Sequence, residues 1–432
     1  MINKEIGKTV LNFICKNYVR ILLAIIALIF LIQSILSAVK YEDYIVDEVH
    51  YVSASKLILK EFFPDKLWNW TYRIPPKYVI TNYLNLEHPP LGKYIIILSL
   101  LLLGDNPISW RIPGIIMGTC ILLLVYSIGR KLGNELTGII ATIAVLFDPM
   151  INSMSKVAML DIYLAFFTVL AFYLLIVKEN TILASIAIGF ALSVKLNGVI
   201  PLVVVLTAIT LLNYGHFISY ERVLSILKSK WPMLVFREYY VRVATFIVRV
   251  LSEVIVIMFI VIAVYLIINL PYIFKFGLNE WISIQVWMVN THTTFSANHP
   301  AVAAPFSLKP PYFNWLFNIK PFGLTDEFSA HVNSFGAPLG AFISILFPIL
   351  YFKSKRGIGR VIVFLWIWLG YSLYIILYLL GRKMQFIYYL TPITPAIDIA
   401  LGLTPILLDE ILYHVKACRV RIFPMTCHVD NK

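Results

Sequence analysis

The chain has 432 residues, of which 60% are hydrophobic and 14% charged, with a mean hydropathy of +0.82 and a formal net charge of +13. A soluble domain needs about a quarter of its residues charged to face water, and here the apolar residues arrive in runs such as Ile21 to Leu36 and Val361 to Leu380. Soluble, disordered and disulfide-scaffold classes are excluded, and an all-α polytopic membrane protein is expected.

In chain order, Lys4, Lys8, Lys16 and Arg20 precede an apolar stretch at 21–39. Its length approaches the ~30 Å of a bilayer core, so it is read as an uncleaved first helix. Ser37-Ala38 is only a weak cleavage site for a signal peptide. An outer loop at 40–111 follows, containing an apolar stretch from Leu91 to Gly104. That stretch covers only about 21 Å as a helix and is expected to lie at the membrane interface. Further spans are expected at about 112–129, 136–149, 158–177, 181–194 and 198–213. The basic, amphipathic segment 214–249 is expected on the inner membrane surface, with a docking site for a partner as its alternative. Spans at 250–274, 337–352, 361–380 and 386–408, with an outer loop at 275–336, complete a set of about ten. The organisation is therefore an N-terminal membrane module at 1–213, the 214–249 segment, and a C-terminal module at 250–432.

Charge orients the scheme. Placing both termini in the cytoplasm puts 21 Lys and Arg on the inner segments, while the two outer loops carry 11 Lys and Arg against 11 acids. The basic excess thus follows the positive-inside rule and calls for no nucleic-acid partner. Cys15, Cys120, Cys418 and Cys427 have no metal-ligand spacing and none lies in an outer segment, so no disulfide framework is expected. Asn69-Trp70-Thr71, a lone glycosylation sequon, falls outside.

Charges at a membrane edge are costly and invite a functional reading. Here they gather on the outer side: Asp47 and Glu48 after span 1, Glu87, His88 and Lys93 around the interfacial stretch, and Arg111 opening span 2. Asp148, Asp161 and Lys195 sit at the ends of later spans, His292 and His299 in the second outer loop, and Arg382 and Lys383 at the end of span 9. Any one of them is unremarkable as a membrane-edge residue. Carboxylates offer a general base for a hydroxyl proton, and Arg and Lys bind phosphate. With no nucleotide-binding loop in the chain, the combination suggests a lipid-linked phosphate rather than a soluble nucleotide. Trp287, Tyr312 and Trp315 could stack on a sugar or peptide, and fit an interfacial aromatic belt equally well.

Eight segments carry a family resemblance in register: Asp47-Glu48-Val-His-Tyr, Glu87-His88-Pro89-Pro90-Leu91-Gly92-Lys93, Trp110-Arg111-Ile112-Pro113, Phe147-Asp148-Pro149, Met159-Leu160-Asp161, Ser193-Val194-Lys195, the paired-histidine loop of Met288 to His292 and Asn298-His299-Pro300, and Arg382 to Pro392. Together they resemble the protein O-mannosyltransferases, glycosyltransferase family 39 of the GT-C type. Leu196 replaces the family's aromatic after Lys195, and the outer loops have no room for the β-trefoil MIR domain of eukaryotic members.

The resemblance implies a GT-C bundle of about ten transmembrane helices with interfacial helices in the first outer loop, set in the cell membrane with its active site on the outer face. The donor would be dolichyl- or polyprenyl-phosphate-mannose, and the acceptor a Ser or Thr hydroxyl of an exported polypeptide. Asp47 would be the base, with Glu48 its supporting partner or a substrate contact. Arg111 and Arg382, with Lys93 and Lys195, would hold the donor phosphate, and His88, Asp148, Asp161, His292 and His299 would line the substrate site. No cofactor is certain. Glu87 and His299 are candidate ligands for a divalent cation, as in related GT-C enzymes that transfer aminoarabinose to lipid A. The nearest rival is a GT-C transferase with a lipid or glycan acceptor. A lipid-linked-sugar transporter would show repeated halves and mid-membrane charges.

Overall fold

A computed structural model of the chain describes residues 2–62, 83–214, 232–292, 315–318, 321–354, 357–382 and 385–415. Its elements are α1 (Ile2–Val39), α2 (Glu48–Phe62), α3 (Leu91–Leu103), α4 (Pro107–Leu132), α5 (Glu135–Leu146), α6 (Pro149–Ser155), α7 (Leu160–Ile176), α8 (Thr181–Val194) and α9 (Val199–Tyr214). They continue with α10 (Pro232–Phe276), α11 (Leu278–Asn290), a two-residue hairpin of β1 (Phe322–Gly323) and β2 (Ser329–Ala330), α12 (Gly336–Ser344), α13 (Leu346–Ser354), α14 (Ile358–Leu379) and α15 (Thr394–Val415). Single 3-10 turns at Leu196–Gly198 and Ile387–Leu390 interrupt the helical run.

The helices start where short polar side chains can take up their orphan N–H groups. Asn106 and Ser109 form a reciprocal capping box at α4, with Pro107 in the first turn. Asn134, Asp148 and Asn180 cap α5, α6 and α8 by accepting from the Thr137, Met150 and Leu183 N–H groups. Pro113 lies inside α4 and has no N–H to offer the carbonyl one turn back. That carbonyl, of Ser109, instead accepts the Ser99 hydroxyl from α3. That bond fastens α3 to α4.

This is a multi-pass membrane protein. Among the described residues five helical stretches are long and apolar enough to cross a bilayer singly: Asn17–Val39, Pro107–Leu132, Leu196–Asn213, Ala244–Phe276 and Ile358–Leu379. The expected spans at 158–177, 181–194 and 337–352 are helical but shorter. The one expected at 136–149 is a broken span: α5 and α6 meet at 59°, because Phe147 ends one helix and Pro149 starts another. The span expected from 386 begins as a helix only at Thr394, after the 3-10 turn. α10 runs unbroken through 249–250, so the part of the basic segment from Pro232 onward is continuous in helix with the span that follows it. The rest of that segment, at 215–231, lies outside the described residues.

The core is built by α7, which packs between α4 and α8, while α5 packs on α4 and α15. The lipid-facing sides stay apolar: Phe259 on α10 is 72% exposed and Leu102 on α3 is 73% exposed. With lipid on the outside, helices gain by close packing through small residues. Gly402 on α15 illustrates this, since a Cβ there would lie 2.6 Å from the Thr137 carbonyl oxygen and 2.8 Å from Ala141 Cβ on α5. The backbone oxygen cannot step aside, so Gly402→Val should lower stability by about 1–3 kcal/mol. Thermal unfolding in detergent is the check, and an unchanged midpoint would show that α5 and α15 are not in contact there.

Candidate active site

Two buried ion pairs hold the 40–111 segment, Lys56–Asp105 and Arg111–Glu48. Arg111, on the first turns of α4, and Glu48, at the start of α2, are both fully buried. Arg111 Nε donates to Glu48 Oε1 at 2.9 Å and Nη2 to Oε2 at 2.8 Å. Its remaining three N–H groups go to the carbonyls of Ala38, Tyr41 and Asp43 at 2.6, 2.6 and 2.8 Å. A guanidinium has five donors, and all five are used. Glu48 also accepts from Ile45 N at 2.8 Å and Ala158 N at 2.7 Å. The expectation that Arg111 binds the donor phosphate is therefore corrected: it has no N–H left, and it ties the end of α1 and the loop after it to α4. Glu48 is its partner and not a substrate contact.

That tie shapes the residue between them. Val46 is held at φ +45°, a left-handed conformation that a β-branched residue adopts only under constraint. Asp47 follows directly. Its carboxylate makes no hydrogen bond or ion pair among the described residues. Burial raises its pKa above the ordinary 3.8, with the charges of Lys195 and His50 acting the other way. A partly buried carboxylate with unused lone pairs is what a general base requires.

Two cations of different standing lie about the Tyr389 ring, and one of them, Lys195, acts on Asp47. Lys195, between α8 and the turn that follows, donates to both Asp161 oxygens at 2.9 Å, and both side chains are buried. Two of its three N–H groups are used there, and its ammonium lies 4.5 Å from the centre of the Tyr389 ring. Arg382 is 9% exposed and lies 5.5 Å from the same ring. Among the described residues its guanidinium has no hydrogen-bond acceptor. Tyr389 thus has two cations near its ring, a favourable setting for both. The ring is fixed because its carbonyl accepts the Tyr374 hydroxyl at 2.8 Å, while Gln385 donates to the Tyr374 carbonyl at 3.0 Å.

The Glu87–Lys93 segment forms the side wall. Lys93 is fully buried, and its ammonium donates to the carbonyls of Asn85 (2.5 Å), His88 (2.8 Å) and Leu84 (3.5 Å). Burial lowers its pKa to about 7, with Glu87 opposing. Its three donors fold the loop, so the phosphate-holding role expected of it is also corrected. The His88 ring lies 5.2 Å from that of His292 and 5.9 Å from Tyr51. His292 Nε2 contacts the Glu87 carbonyl at 2.9 Å, so the end of α11 closes over the first loop. Burial lowers the pKa of His88 far below its usual value, with Lys195, His292, Lys93 and Arg382 adding to the effect. For His292, burial and Arg382 bring it down to about 4. Both imidazoles are neutral at physiological pH and can exchange hydrogen bonds with a substrate without competing for its negative charge.

Asp47, Asp161, Lys195, Arg382, Glu87, His88 and His292 therefore share one site. Asp148 does not join it: it caps α6 through Met150 N at 2.9 Å and faces Thr394 and Asp398 on α15. Its place is the break between α5 and α6, away from the cluster. His299, Lys383, Tyr312 and the 69–71 sequon lie outside the described residues. The candidate cation pair of Glu87 and His299 is thus described only on the Glu87 side, where Oε2 is buried without a partner. Among the described residues no group of three or more His, Cys, Asp or Glu gathers as a metal set. Trp315 is 5% exposed and packs on Tyr371 and Tyr374, so it is a core residue and not a stacking platform. Sequence reasoning assigned no role to Tyr51, Tyr388, Tyr389 and His50, which surround Asp47 and Lys195. The signal for Tyr51 is its spacing, four residues after Asp47 on the same helical face.

Residues 87–237 match the family described as dolichyl-phosphate-mannose-protein mannosyltransferase. The polyprenol-phosphate-mannose–protein mannosyltransferase of Mycolicibacterium smegmatis is 35% identical over 102 residues, which are 23% of this chain and 20% of that protein. The protein of the same name from Corynebacterium glutamicum is 31% identical over 163 residues, 37% of this chain and 30% of its own length. The chain thus matches less than a third of either relative. Among solved structures, ArnT from Cupriavidus metallidurans bound to undecaprenyl phosphate superposes with a TM-score of 0.53 at 16% identity, covering 93% of this chain and 62% of that one. The archaeal oligosaccharyltransferase AglB from Archaeoglobus fulgidus, in complex with an inhibitory peptide and a dolichol-phosphate, gives 0.51 at 14% identity, covering 93% and 52%. The resemblance to the protein O-mannosyltransferases carried by the motifs is borne out in sequence over 87–237, on the frame of the GT-C membrane glycosyltransferases.

Proposed function

We propose that this chain transfers mannose from a polyprenyl- or dolichyl-phosphate-mannose to Ser or Thr hydroxyls of exported polypeptides, with inversion at the anomeric carbon. The observation that carries the reading is that Asp47, a carboxylate unbonded among the described residues, lies within the field of Lys195, and that Lys195 shares the Tyr389 ring with the guanidinium of Arg382, also unbonded among the described residues. The matched family and the named relatives supply the donor and acceptor classes.

An inverting displacement needs the hydroxyl oxygen, C1 and the leaving phosphate oxygen roughly in line. Asp47 takes the hydroxyl proton as the new bond forms. The leaving phosphate gains negative charge, and the Arg382 fork with the third N–H of Lys195 stabilises it more in the transition state than in the ground state. Asp161 fixes Lys195 for that purpose, and the neutral His88 and His292 orient the sugar. The site would face the outside of the cell membrane, with both termini in the cytoplasm, so that a lipid donor meets exported acceptors there.

The test is transfer of labelled mannose from polyprenyl-phosphate-mannose to Ser/Thr-rich peptides in membranes holding the full chain. Activity with the peptide supports the reading. Transfer to a lipid or glycan acceptor alone would replace it with the rival transferase.

Two dependences follow from the geometry. Arg382→Ala should lower kcat/KM by about 10- to 100-fold, the worth of a charge-assisted hydrogen bond, and Arg382→Lys should recover part of it. An unchanged rate would remove Arg382 from the phosphate site. The pH dependence has a definite sign. Asp47 works deprotonated, and burial raises its pKa, so activity should be lost as pH falls, at a midpoint above 3.8. A profile flat down to that value would rule out Asp47 as the base.

A further inference from the structure

The second outer loop opens with a helical hairpin, in which α11 turns back on α10 at Gly277. The φ of Gly277 is +82°, a conformation that glycine adopts without a steric cost. Two polar bonds cross this hairpin. The Trp281 indole N–H donates to Asn269 Oδ1 at 3.1 Å, and the Tyr265 hydroxyl donates to Gln285 Oε1 at 2.6 Å. Asn269 is fully buried within the apolar run of α10, where a polar side chain is costly and invites a functional reading. Its amide also donates to the Tyr265 carbonyl one turn back, at 2.8 Å. One side chain thus anchors to its own helix and grips the next.

α11 needs such a grip because it is apolar on two faces. Trp281, Ile284 and Met288 are buried, and Trp281 joins Tyr272 in a cluster with Ile58 and Leu59 of α2 and Ile97 of α3. Leu278, Ile282, Val286 and Val289 are exposed on the other face. Beside lipid, apolar area hardly distinguishes one face from the other, whereas a hydrogen bond has a direction. The bonds to Asn269 and Tyr265 therefore fix the rotation of α11. Helical winding continues through Thr291 and His292. At spacings of three, four and four residues, Trp281, Ile284, Met288 and His292 fall on one face. The rotation that seats Trp281 thus also aims His292, whose Nε2 meets the Glu87 carbonyl at 2.9 Å and whose ring lies 5.2 Å from that of His88.

We propose that Asn269 is a positioning residue of the candidate site: through its bond to Trp281 it sets the rotation of α11 and so holds the His292 imidazole against the Glu87–His88 wall. Asn269 acts on the site only through α11. The consequence for mannose transfer rests on the proposed function, and the placing of His292 does not. An apolar side chain at 269 would leave the Trp281 N–H buried without a partner and release α11 to turn. The imidazole would then lose its place, while Lys195–Asp161 and Arg111–Glu48 keep their bonds.

Diethyl pyrocarbonate is the probe, applied to the full chain in phosphatidylcholine nanodiscs, with acylation of each histidine read by peptide mass spectrometry. In Asn269→Leu, His292 should react about three- to tenfold faster than in the wild type, the worth of one interhelical hydrogen bond in a membrane. Trp281→Phe, which keeps an aromatic ring without the N–H, should give the same increase. Both variants cut one bond, so the double variant should react no faster than either. His331, next to β2, should not change. In mannose transfer, kcat should fall with the donor KM steady, and Asn269→Leu should add nothing in a His292→Ala background. An unchanged rate at His292 in both variants would overturn the proposal. So would a rise at His331 equal to that at His292, which marks general loosening. Should Asn269→Leu fail to fold, Trp281→Phe carries the same test. A wild type that transfers no mannose would sink the proposed function, and the acylation rates would still decide the positioning.

Discussion

Asp47→Asn should abolish the proposed mannose transfer while leaving the fold and donor binding in place. The amide keeps the size and shape of the carboxylate but cannot take a proton from the acceptor. A positioned general base contributes typically 10²–10⁴-fold, so kcat should fall by about that factor while the donor KM stays near the wild-type value. The fold should survive because the Asp47 carboxylate bonds to nothing else among the described residues, and its partly buried charge is itself a cost. Residual activity in the variant should also lose the acid limb of the pH profile. Measurement of kcat, KM and the thermal midpoint together is the check. A kcat within a few-fold of wild type would assign the proton to another group, and Glu87 would be examined next, since it faces the same site with one buried oxygen unbonded.

Arg111→Ala should damage the protein in a different way, by unfolding it. Five hydrogen bonds and a buried ion pair are lost at once, and Glu48 is left with an uncompensated charge in a site it cannot leave. Breaking one side of a buried pair costs about 3–5 kcal/mol, a large share of the marginal stability of a folded chain. The thermal midpoint should fall steeply, and activity with it. Arg111→Lys should rescue little, because a point charge with three donors cannot reproduce a five-donor fork. The double variant Arg111→Met with Glu48→Leu should recover part of the midpoint, since it removes both charges and fills the space. If Arg111→Ala instead kept the wild-type midpoint and raised the donor KM, the guanidinium would belong to the phosphate site after all.

These two variants separate what a motif can say from what it cannot. Asp47 and Arg111 stand in neighbouring motifs, both charged and both flanking apolar runs, and nothing in their spacing distinguishes a proposed base from a brace. The distinction appears only when the donors are counted against the acceptors around them. The same accounting divides the four expected phosphate holders. Lys93 folds its own loop, Arg111 ties helices, Lys195 retains one N–H beyond Asp161, and Arg382 stands unbonded among the described residues. A chain-order pattern carries residue type and distance along the backbone, whereas a hydrogen bond depends on distance through space.

Much of the architecture was nevertheless legible, for a physical reason. A membrane interior offers no partner to backbone groups, so long apolar runs must become helices, and their lengths and flanking charges are written in the chain. The apolar runs at 21–39, 112–129 and 361–380 could be read in this way, as could the short stretch at 91–104. The break at Phe147 and Pro149 was less legible, because an apolar run with a proline at its end reads equally well as a span that stops or a span that bends. Only packing against α15 decides that it bends. That bend moves Asp148 out of the catalytic cluster and places it beside Asp398, a residue that no motif singled out.

Amino-acid order alone determined that the chain is a helical membrane bundle with its reactive polar residues gathered along one edge, since hydration cost forbids scattering charges through lipid. Tertiary structure decided which of those residues have their hydrogen-bonding groups spent on neighbours and which do not. A side chain is free for chemistry only when its neighbours leave its donors and acceptors unspent, and those neighbours come from helices far apart in the chain.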